Sequence, residues 1–437
     1  MRHDVRTVSL AAIALLAACR GSGDVSTLAE ADSTSIRRDV SWLADDARGG
    51  RGEGTAGLDS AAHYVARRFE ALGLERVVPV STTCRSGCAM SYVMPYLAKP
   101  LPSRGQAVSR EFAGENVVGV LRGSDPALRD EYVIVGAHMD HLGTSSDFAL
   151  DPEAKDAIRN GADDNASGVA AVLELARLLS RHAPRRSIVF TTFSGEELGL
   201  LGSQYWADHA PVPLPKVRAM VNFDMVGRMH DDKLIVYGVA TATELPALVD
   251  SVNVAPRLVV SAVGDGFGPS DHSSFYAKNL PVLHLFTDLH GDYHRATDDA
   301  DRINAAGEAR VVAFAERVIR AIADRGAPLT FVRAPAPAPR AGSSREGSNV
   351  YLGSIPDMAA GTTPGLRLSG VRAGSPADKG GLKAGDVIVE LAGKSVTDLY
   401  EYTDALYANK PGQAITIVVL RDGVRVPLTV VLGERGR

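Results

Sequence analysis

The sequence predicts an α/β protein with a largely parallel central sheet flanked by helices. Continuous apolar runs at residues 132–137, 187–193 and 217–223 are typical of strands that are buried on both faces. Residues 166–182, between the first two runs, have apolar side chains at helical spacing, which favours a helix packed against the sheet. Open α/β sheets bind ligands beyond the carboxyl ends of such strands, so chemistry at these ends is expected to meet in one crevice.

Each predicted strand is followed at once by residues that can bind metal ions or transfer protons. Two imidazoles and three carboxylates suit borderline divalent ions such as Zn²⁺, and a further acidic residue beside a ligand supplies a general base. The pattern therefore indicates a metal-dependent hydrolase with two metal ions. The segments that carry it are His138-Met139-Asp140, 161–165, Glu196-Glu197, Asp224 and His294.

Six ordered motifs, spread over about residues 36–325, resemble the co-catalytic zinc aminopeptidase family. Relatives of that family include glutamate carboxypeptidases and glutaminyl cyclases. The matching motifs are Gly-Ala-His-Met-Asp at 136–140, Gly-Ala-Asp-Asp-Asn-Ala-Ser-Gly at 161–168, Phe-Ser-Gly-Glu-Glu-Leu-Gly at 193–199, Asn-Phe-Asp-Met at 222–225, Ser-Asp-His at 270–272 and Tyr-His at 293–294.

The resemblance implies a zinc exopeptidase fold, with a mixed, largely parallel central sheet flanked by helices, and two Zn²⁺ ions. It implies that Asp164 bridges both ions. His138 and Asp224 would complete one site, and Glu197 and His294 would complete the other. A carboxylate is suited to the bridging position because its two oxygens can hold two cations roughly 3.5–4 Å apart.

Glu196 is the predicted general base, as the resemblance also implies. Adjacent glutamates cannot both point the same way in extended or turn backbone, so one can bind metal while the other faces water. Asp140, two residues beyond His138, is expected to accept the ring N–H of a ligand histidine. The resemblance further implies that the Tyr293 hydroxyl stabilises the oxyanion of the reaction, with a packing role as the alternative.

Four other histidines, His141, His272, His284 and His290, have weaker signals. His141 and His272 are expected to support the site or to line the crevice. His284, inside the apolar run at 281–286, is expected to be a core histidine with satisfied hydrogen bonds.

The start of the chain predicts export. Arg2 and Arg6 precede an apolar run at 8–18, which is too short to cross a bilayer and is typical of a secretory signal. The run ends in Leu-Ala-Ala-Cys, which resembles a bacterial lipobox, so residues 1–18 would be the signal and Cys19 the lipidated mature N-terminus. We expect attachment to the lipid bilayer of the bacterial cell envelope, at the outer membrane facing the periplasm. An ordinary signal peptide is the alternative.

Cys84 and Cys88 are the other cysteines of the chain. In an oxidising periplasm they are expected to close a small disulfide loop. A metal pair is the alternative, although two thiols without nearby partners make a poor zinc site.

The composition predicts two domains. The peptidase-like part is expected at 30–325, with a short irregular segment at 77–114 that would form a lid or rim, and an Ala/Pro/Ser-rich linker at 326–347 follows it. Beyond the linker come Tyr-Leu-Gly-Ser-Ile at 351–355, Val-Arg-Ala-Gly-Ser-Pro-Ala at 371–377 and Gly-Leu-Lys-Ala-Gly-Asp-Val-Ile-Val-Glu-Leu at 381–391. With these motifs, residues 348–434 resemble a bacterial PDZ domain, which is small and rich in β-strands. That resemblance implies capture of a C-terminal peptide carboxylate by backbone N–H groups near Leu352 and Gly353. A structural appendage with an empty groove is the alternative.

The net charge of −5 is modest and its charged residues are interspersed, so nucleic acid is not the expected partner. The predicted function is a zinc-dependent aminopeptidase that hydrolyses N-terminal residues from peptides. Carboxypeptidase or glutaminyl cyclase chemistry in the same crevice is one alternative. A non-enzymatic binding protein centred on the PDZ domain is another.

Overall fold

The structure is a computed structural model. It describes residues 30–80, 88–98, 112–145, 149, 151, 153–264, 266, 268, 270–333, 350–356, 365–371, 374–396, 401–402, 405–406, 408–421 and 423–434. Cys19 and Cys84, for which lipidation and a disulfide are predicted, lie outside these residues. Within the described part of the chain, no helix has the length and apolar character needed to span a membrane.

A mixed sheet forms the centre of the larger domain. Its strand order is β1-β5-β7-β6-β8-β11-β9-β10, and β4 pairs with the same side of β5 as β1 does. A separate short pair joins β2 to β3. The strands are β1 (Glu75–Arg76), β2 (Val78–Pro79), β3 (Met90–Ser91), β4 (Val93–Ala98), β5 (Phe112–Leu121), β6 (Tyr132–His138), β7 (Ser187–Phe193), β8 (Val217–Phe223), β9 (Lys233–Tyr237), β10 (Val259–Ala262) and β11 (Val282–Phe286).

The centre of this sheet is parallel and is flanked by antiparallel pairs, and the edge strand β10 is parallel to β9. Strand β6 is parallel to β7 and β8, and β8 is parallel to β11. Strand β5 runs antiparallel to β7, and β9 runs antiparallel to β11. Every residue of β6 and β7 is buried, as continuous apolar runs predict for central strands covered on both faces. These pairings confirm the predicted mixed, largely parallel sheet.

Helices pack against the sheet, and the helix predicted at 166–182 is observed as α3. It packs against β6 and against α1 and α7. The side chain of Asn304 caps α7 by accepting the N–H of Gly307 at 3.0 Å. The helices are α1 (Ser33–Leu43), α2 (Ala56–Ala71), α3 (Gly168–Arg181), α4 (Leu201–Asp208), α5 (Leu245–Val252), α6 (His272–Tyr276) and α7 (Ala305–Ala323).

The prediction of an irregular segment at 77–114 was wrong for its described residues, which include β2, β3, β4 and the start of β5. Strand β4 pairs with β5 along six residue pairs, from Val93 opposite Val117 to Ala98 opposite Phe112. Pro95 obscured this strand in the sequence, yet an edge strand tolerates proline because one of its sides needs no hydrogen bonds. The segment therefore extends the central sheet.

The C-terminal domain is built on an antiparallel sheet of order β13-β14-β15-β17-β18, with β16 paired to β15 and a separate β12–β19 pair. Gly353 has a φ of +83°, and a Cβ there would lie 2.4 Å from Ser375 Cβ, so the loop after β12 requires glycine. Leu352 is buried, and its carbonyl accepts the N–H of Ala377. The elements are β12 (Val350–Tyr351), β13 (Ser354–Pro356), β14 (Leu366–Val371), α8 (Pro376–Lys379), β15 (Val387–Leu391), β16 (Lys394–Ser395), β17 (Ala414–Arg421), β18 (Val424–Val431) and β19 (Gly433–Glu434).

Candidate metal centre

The predicted ligands meet at the carboxyl edge of the parallel strands. His138 is the last residue of β6, Glu197 lies in the turn after β7, and Asp224 directly follows β8. Asp164 lies in the buried turn that leads into α3, and His294 lies in the loop after β11. The fold therefore brings together five residues that are separated by up to 156 positions in the chain.

Asp164 is shared between two groups of side chains. Its Oδ1 lies 3.3 Å from Nε2 of His138, which also lies 3.4 Å from Oδ1 of Asp224. Its Oδ2 lies 3.2 Å from Nε2 of His294, which lies 3.2 Å from Oε2 of Glu197. The two carboxylate oxygens thus face different groups, as a bridging ligand requires.

The charges of the cluster fit bound cations. Burial opposes protonation of His138, yet Asp224 and Glu196 hold its pKa well above the usual range. Burial likewise opposes protonation of His294, but Glu197 and Asp164 raise its pKa well above the usual range. The carboxylates therefore favour positive charge among these side chains. Histidine nitrogens and carboxylate oxygens are also ligands that Zn²⁺ has in proteins.

His141 lies closer to the ligands than the sequence indicated. Its Nδ1 lies 2.7 Å from Oε1 of Glu197 and 3.7 Å from Oδ2 of Asp164. Together with these two carboxylates it forms a second group of donor atoms that all lie within 4.8 Å of one another. Its Nε2 is buried without a hydrogen-bond partner among the described residues. The contact with Glu197 is the one expected of a residue that supports the site, and the group of donor atoms adds that His141 could itself hold a metal ion.

Asp140 makes a different contact from the one predicted. Its carboxylate lies 3.7 Å from Nδ1 of His138, too far for a hydrogen bond, and that nitrogen lies 3.2 Å from the Asp140 carbonyl oxygen instead. The carboxylate accepts the backbone N–H of Glu196 through Oδ1 and that of Glu197 through Oδ2, both at 3.3 Å. Since β6 and β7 are neighbours, the chain after β6 turns its carboxylate towards the turn after β7. Asp140 therefore holds the turn that carries the two glutamates.

Glu196 lines the same cleft as the ligands. Burial raises its pKa well above the usual range, against the influence of His138, and Glu197 and Asp224 raise it further. Burial also raises the pKa of Glu197, but the charge of His294 and the hydrogen bonds from His141 and His294 together lower it to about 2. The two adjacent glutamates thus differ in their affinity for a proton, which suits one of them to proton transfer and the other to metal binding.

One half of the cleft is apolar. The cleft offers about 560 Å³ of space, its open mouth included. Met225, Tyr237, Phe286 and Leu289 line it and belong to one hydrophobic cluster, which forms the apolar half of the cleft. The Tyr293 ring stacks on the His294 ring, with 3.9 Å between their centroids. Tyr293 therefore lines the cleft directly beside a predicted metal ligand. The structure therefore places Tyr293 where either predicted role, oxyanion contact or packing, would put it.

The expectation that His284 is a core histidine was incomplete. It is buried, but its ring also forms part of the cleft wall. Its Nδ1 lies 3.3 Å from Nδ2 of Asn222, and its ring stacks on His272 with 4.6 Å between centroids. Burial lowers the pKa of His284 to about 4, so the ring is neutral at physiological pH.

Of the three cysteines with predicted roles, the structure describes Cys88. Cys88 is disulfide-bonded. Its pairing with Cys84, and the lipidation of Cys19, stay predictions because both residues lie outside the described part of the chain.

Comparison with known protein families identifies two domains. Residues 116–319 match peptidase family M28, and residues 350–432 match the PDZ domain. A probable zinc metalloprotease of Pyrenophora teres f. teres is 42% identical over 112 residues, which are 25% of this chain and 22% of that protein. Leupeptin-inactivating enzyme 1 of Streptomyces exfoliatus is 26% identical over 266 residues, which are 60% of this chain and 50% of the enzyme. The matches thus cover from about a fifth to a half of the length of these relatives.

Solved structures share the fold of the larger domain. A zinc-dependent exopeptidase from Parabacteroides distasonis has a TM-score of 0.54 at 20% identity, covering 67% of this chain and 99% of its own. An aminopeptidase from Aneurinibacillus sp. strain AM-1 has a TM-score of 0.51 at 18% identity, covering 70% and 97%. A glutaminyl cyclase from Bacteroides thetaiotaomicron has a TM-score of 0.53 at 19% identity, covering 67% and 99%.

Proposed function

We propose that this chain, which carries a peptidase family M28 domain followed by a C-terminal PDZ domain, is a zinc-dependent aminopeptidase with two metal ions. The observation that carries the proposal is the position of Asp164. Each of its two carboxylate oxygens faces a separate histidine, with a further carboxylate beside each histidine. Such a shared carboxylate is suited to a pair of cations and has no comparable use in a single-metal site.

His138, Asp164 and Asp224 would hold one Zn²⁺ ion, and Asp164, Glu197 and His294 would hold the other. When bound, zinc supplies Lewis acidity, which polarises a peptide carbonyl and lowers the pKa of water. His141 contacts Glu197 through Nδ1 and would orient that carboxylate or join it as a donor.

Glu196 would act as the general base and then as the general acid. Its side chain lines the cleft beside the cluster, and burial raises the affinity of its carboxylate for a proton. In the proposed reaction it accepts a proton from the attacking water and passes it to the departing amine, while the C–N bond breaks. The raised pKa supports this role because a base that must return its proton works best with a pKa near the working pH.

The apolar half of the cleft would bind the side chain of the N-terminal residue. Met225, Phe286 and Leu289 offer apolar surface next to the metal cluster. Burial of a large apolar side chain there is favourable by about 1.5–3 kcal/mol, so leucine-like and aromatic N-terminal residues are the proposed preference. Tyr293, at the border of the two halves, would donate its hydroxyl hydrogen to the oxyanion.

The proposed location is the bacterial cell envelope, with a lipid anchor at Cys19. The Leu-Ala-Ala-Cys sequence after an apolar run supports this proposal. Cys19→Ser should abolish lipid labelling and release the protein from membranes, because acyl chains would be its attachment. A variant that stays in the membrane fraction would exclude the anchor.

The test of the catalytic proposal uses the Glu196→Gln variant. It should retain close to two zinc equivalents and lose kcat on aminoacyl chromogenic substrates by about 10²-fold or more. Glu308→Gln is the matched control, because burial raises the pKa of Glu308 as it does that of Glu196, but Glu308 lies in α7. Asp164→Ala should lose both metal ions.

Substrates separate the proposal from its alternatives. Peptides with a blocked N-terminus should resist cleavage, which carboxypeptidase action would not predict. Peptides that begin with glutamine would be cyclised by a glutaminyl cyclase, a result that would replace the proposed reaction. Near-normal kcat in Glu196→Gln would remove this residue from the mechanism.

A further inference from the structure

The turn that carries Glu196 and Glu197 is held by strand β4, which lies 98 residues earlier in the chain than the start of that turn. The hydroxyl of Tyr96 donates a hydrogen bond to the carbonyl of Ser194 at 2.9 Å and lies 3.0 Å from Ser194 Oγ. Ser194 Oγ also accepts the N–H of Glu115 at 3.1 Å. Ser194 is two residues before Glu196, so Tyr96 contacts the backbone from which both glutamates extend.

Two glycines leave room for the Tyr96 ring. Gly114 lies opposite Tyr96 in the β4–β5 pair, and a Cβ there would lie 2.3 Å from Cζ of Tyr96. Gly195 has a φ of +69°, and a Cβ there would lie 2.9 Å from the Tyr96 hydroxyl. The tyrosine ring therefore covers strand β5 and reaches the turn beside Gly195, which has no side chain to obstruct it.

The ring is fixed on its other sides. Tyr96 is only 5% exposed, and it stacks on Tyr205 of α4 with 5.2 Å between ring centroids. The start of α4 is itself tied to the same turn, because the N–H of Gly202 donates to the Ser194 carbonyl at 3.0 Å. A hydrogen bond from a buried phenol is stronger than one from an exposed phenol, because water cannot replace either partner.

We propose that Tyr96 is a positioning residue for the catalytic turn. Its hydroxyl fixes the backbone at Ser194, while Asp140 fixes the same turn from the other end through the N–H groups of Glu196 and Glu197. The turn is thereby clamped on both sides, which sets the direction of the Glu196 carboxylate. The inference rests on the proposed function, in which Glu196 is the base. Tyr96 contacts neither substrate nor metal in this arrangement.

The test replaces only the hydroxyl, with Tyr96→Phe, in the full-length protein loaded with zinc. The matched control is Tyr92→Phe, because Tyr92 is equally buried and donates its hydroxyl to the Leu74 carbonyl at 2.5 Å, away from the turn. Tyr96→Phe should lower kcat on an aminoacyl chromogenic substrate by about tenfold, the effect of one lost hydrogen bond on a reacting geometry, and leave KM unchanged. Tyr92→Phe should keep kcat within about twofold.

A second measurement does not depend on catalysis. Amide hydrogen exchange of a peptide that spans residues 194–201 should become faster in Tyr96→Phe than in the wild type, and Tyr92→Phe should leave it unchanged. Equal exchange in the two variants would overturn the positioning role of Tyr96, whatever the activity. If exchange is faster in Tyr96→Phe but the wild type has no aminopeptidase activity, the result would support the positioning of the turn by Tyr96 and reject the proposed function. Faster exchange with unchanged kcat would show that the clamp does not direct Glu196, and it would also overturn the inference.

Discussion

His141 Nδ1 lies 2.7 Å from Glu197 Oε1, although the two residues are 56 positions apart in the chain. The parallel pairing of β6 and β7 places His138 opposite Phe193, so the residues just beyond these two strands meet. The contact gives His141 a part in the predicted metal site, because Glu197 is a predicted ligand.

We expect His141→Ala to weaken zinc binding by about 10–100-fold, the usual effect of losing a partner that orients a ligand. The measurement is a competition titration with a chromophoric chelator. His63→Ala, at an exposed position of α2, is the control and should leave zinc affinity unchanged. If His141→Ala binds only one zinc equivalent, His141 is itself a ligand and its contact with Glu197 is secondary.

The sequence predicts the parts of this site that follow from local order. A buried strand is recognisable in the sequence as an apolar run, and the polar residue at its end lies at the carboxyl edge of the sheet. His138 and Asp224 could therefore be placed at this edge without a structure. The hydrogen bonds of Asp140 and Tyr96 could not be predicted in this way. Their partners belong to the turn after β7, and only the lateral order of β4, β5, β7 and β6 brings them together.

The apolar half of the cleft predicts a change in specificity for Leu289→Ala. Leu289 lines the cleft and packs beside Tyr293, and its truncation removes apolar surface that a large N-terminal side chain would contact. We expect the ratio of kcat/KM for a leucyl over an alanyl chromogenic substrate to fall about tenfold, with little change for alanine. An unchanged ratio would place the side-chain pocket elsewhere.

The ion pairs of Glu131 with two arginines predict how the stability of the fold depends on pH. Its carboxylate accepts from Arg218 Nη2 and from the buried Arg186 Nε, both at 2.7 Å. The hydrogen bond from Arg218 acts most strongly, burial opposes it, and Arg186 adds to it, so the pKa of Glu131 falls from 4.5 to about 2. A depressed carboxylate pKa stabilises the fold above the unfolded value, and this contribution is lost as pH falls from about 4.5 towards 2.

Glu131→Gln should therefore lower the free energy of unfolding at pH 7 by about 3 kcal/mol, because it leaves the Arg186 charge buried without its partner. The difference from the wild type should shrink as the pH approaches 2. Urea unfolding at pH 7 and pH 3 measures both effects. Glu75→Gln, which breaks a half-exposed ion pair with Arg122, should cost less than about 1 kcal/mol at either pH. A pH-independent loss in Glu131→Gln would assign it to packing.

The last prediction concerns the PDZ domain. All predicted metal ligands precede Arg325, and the family match of the peptidase part ends at residue 319. A truncated protein that ends at Arg333 should therefore fold, bind zinc and cleave short aminoacyl substrates at close to the rate of the full chain. If the PDZ domain captures the C-terminus of a substrate, the truncation should raise KM for longer peptides with a free carboxylate, and amidation of those peptides should have the same effect on the full chain.

Gly353→Ala in the full chain is a milder version of the truncation, because a Cβ at this left-handed position would collide with Ser375 in the predicted carboxylate loop. Equal kinetics for long and short substrates in all three cases would assign the PDZ domain to docking another protein, and loss of all activity on truncation would mean that it completes the active site.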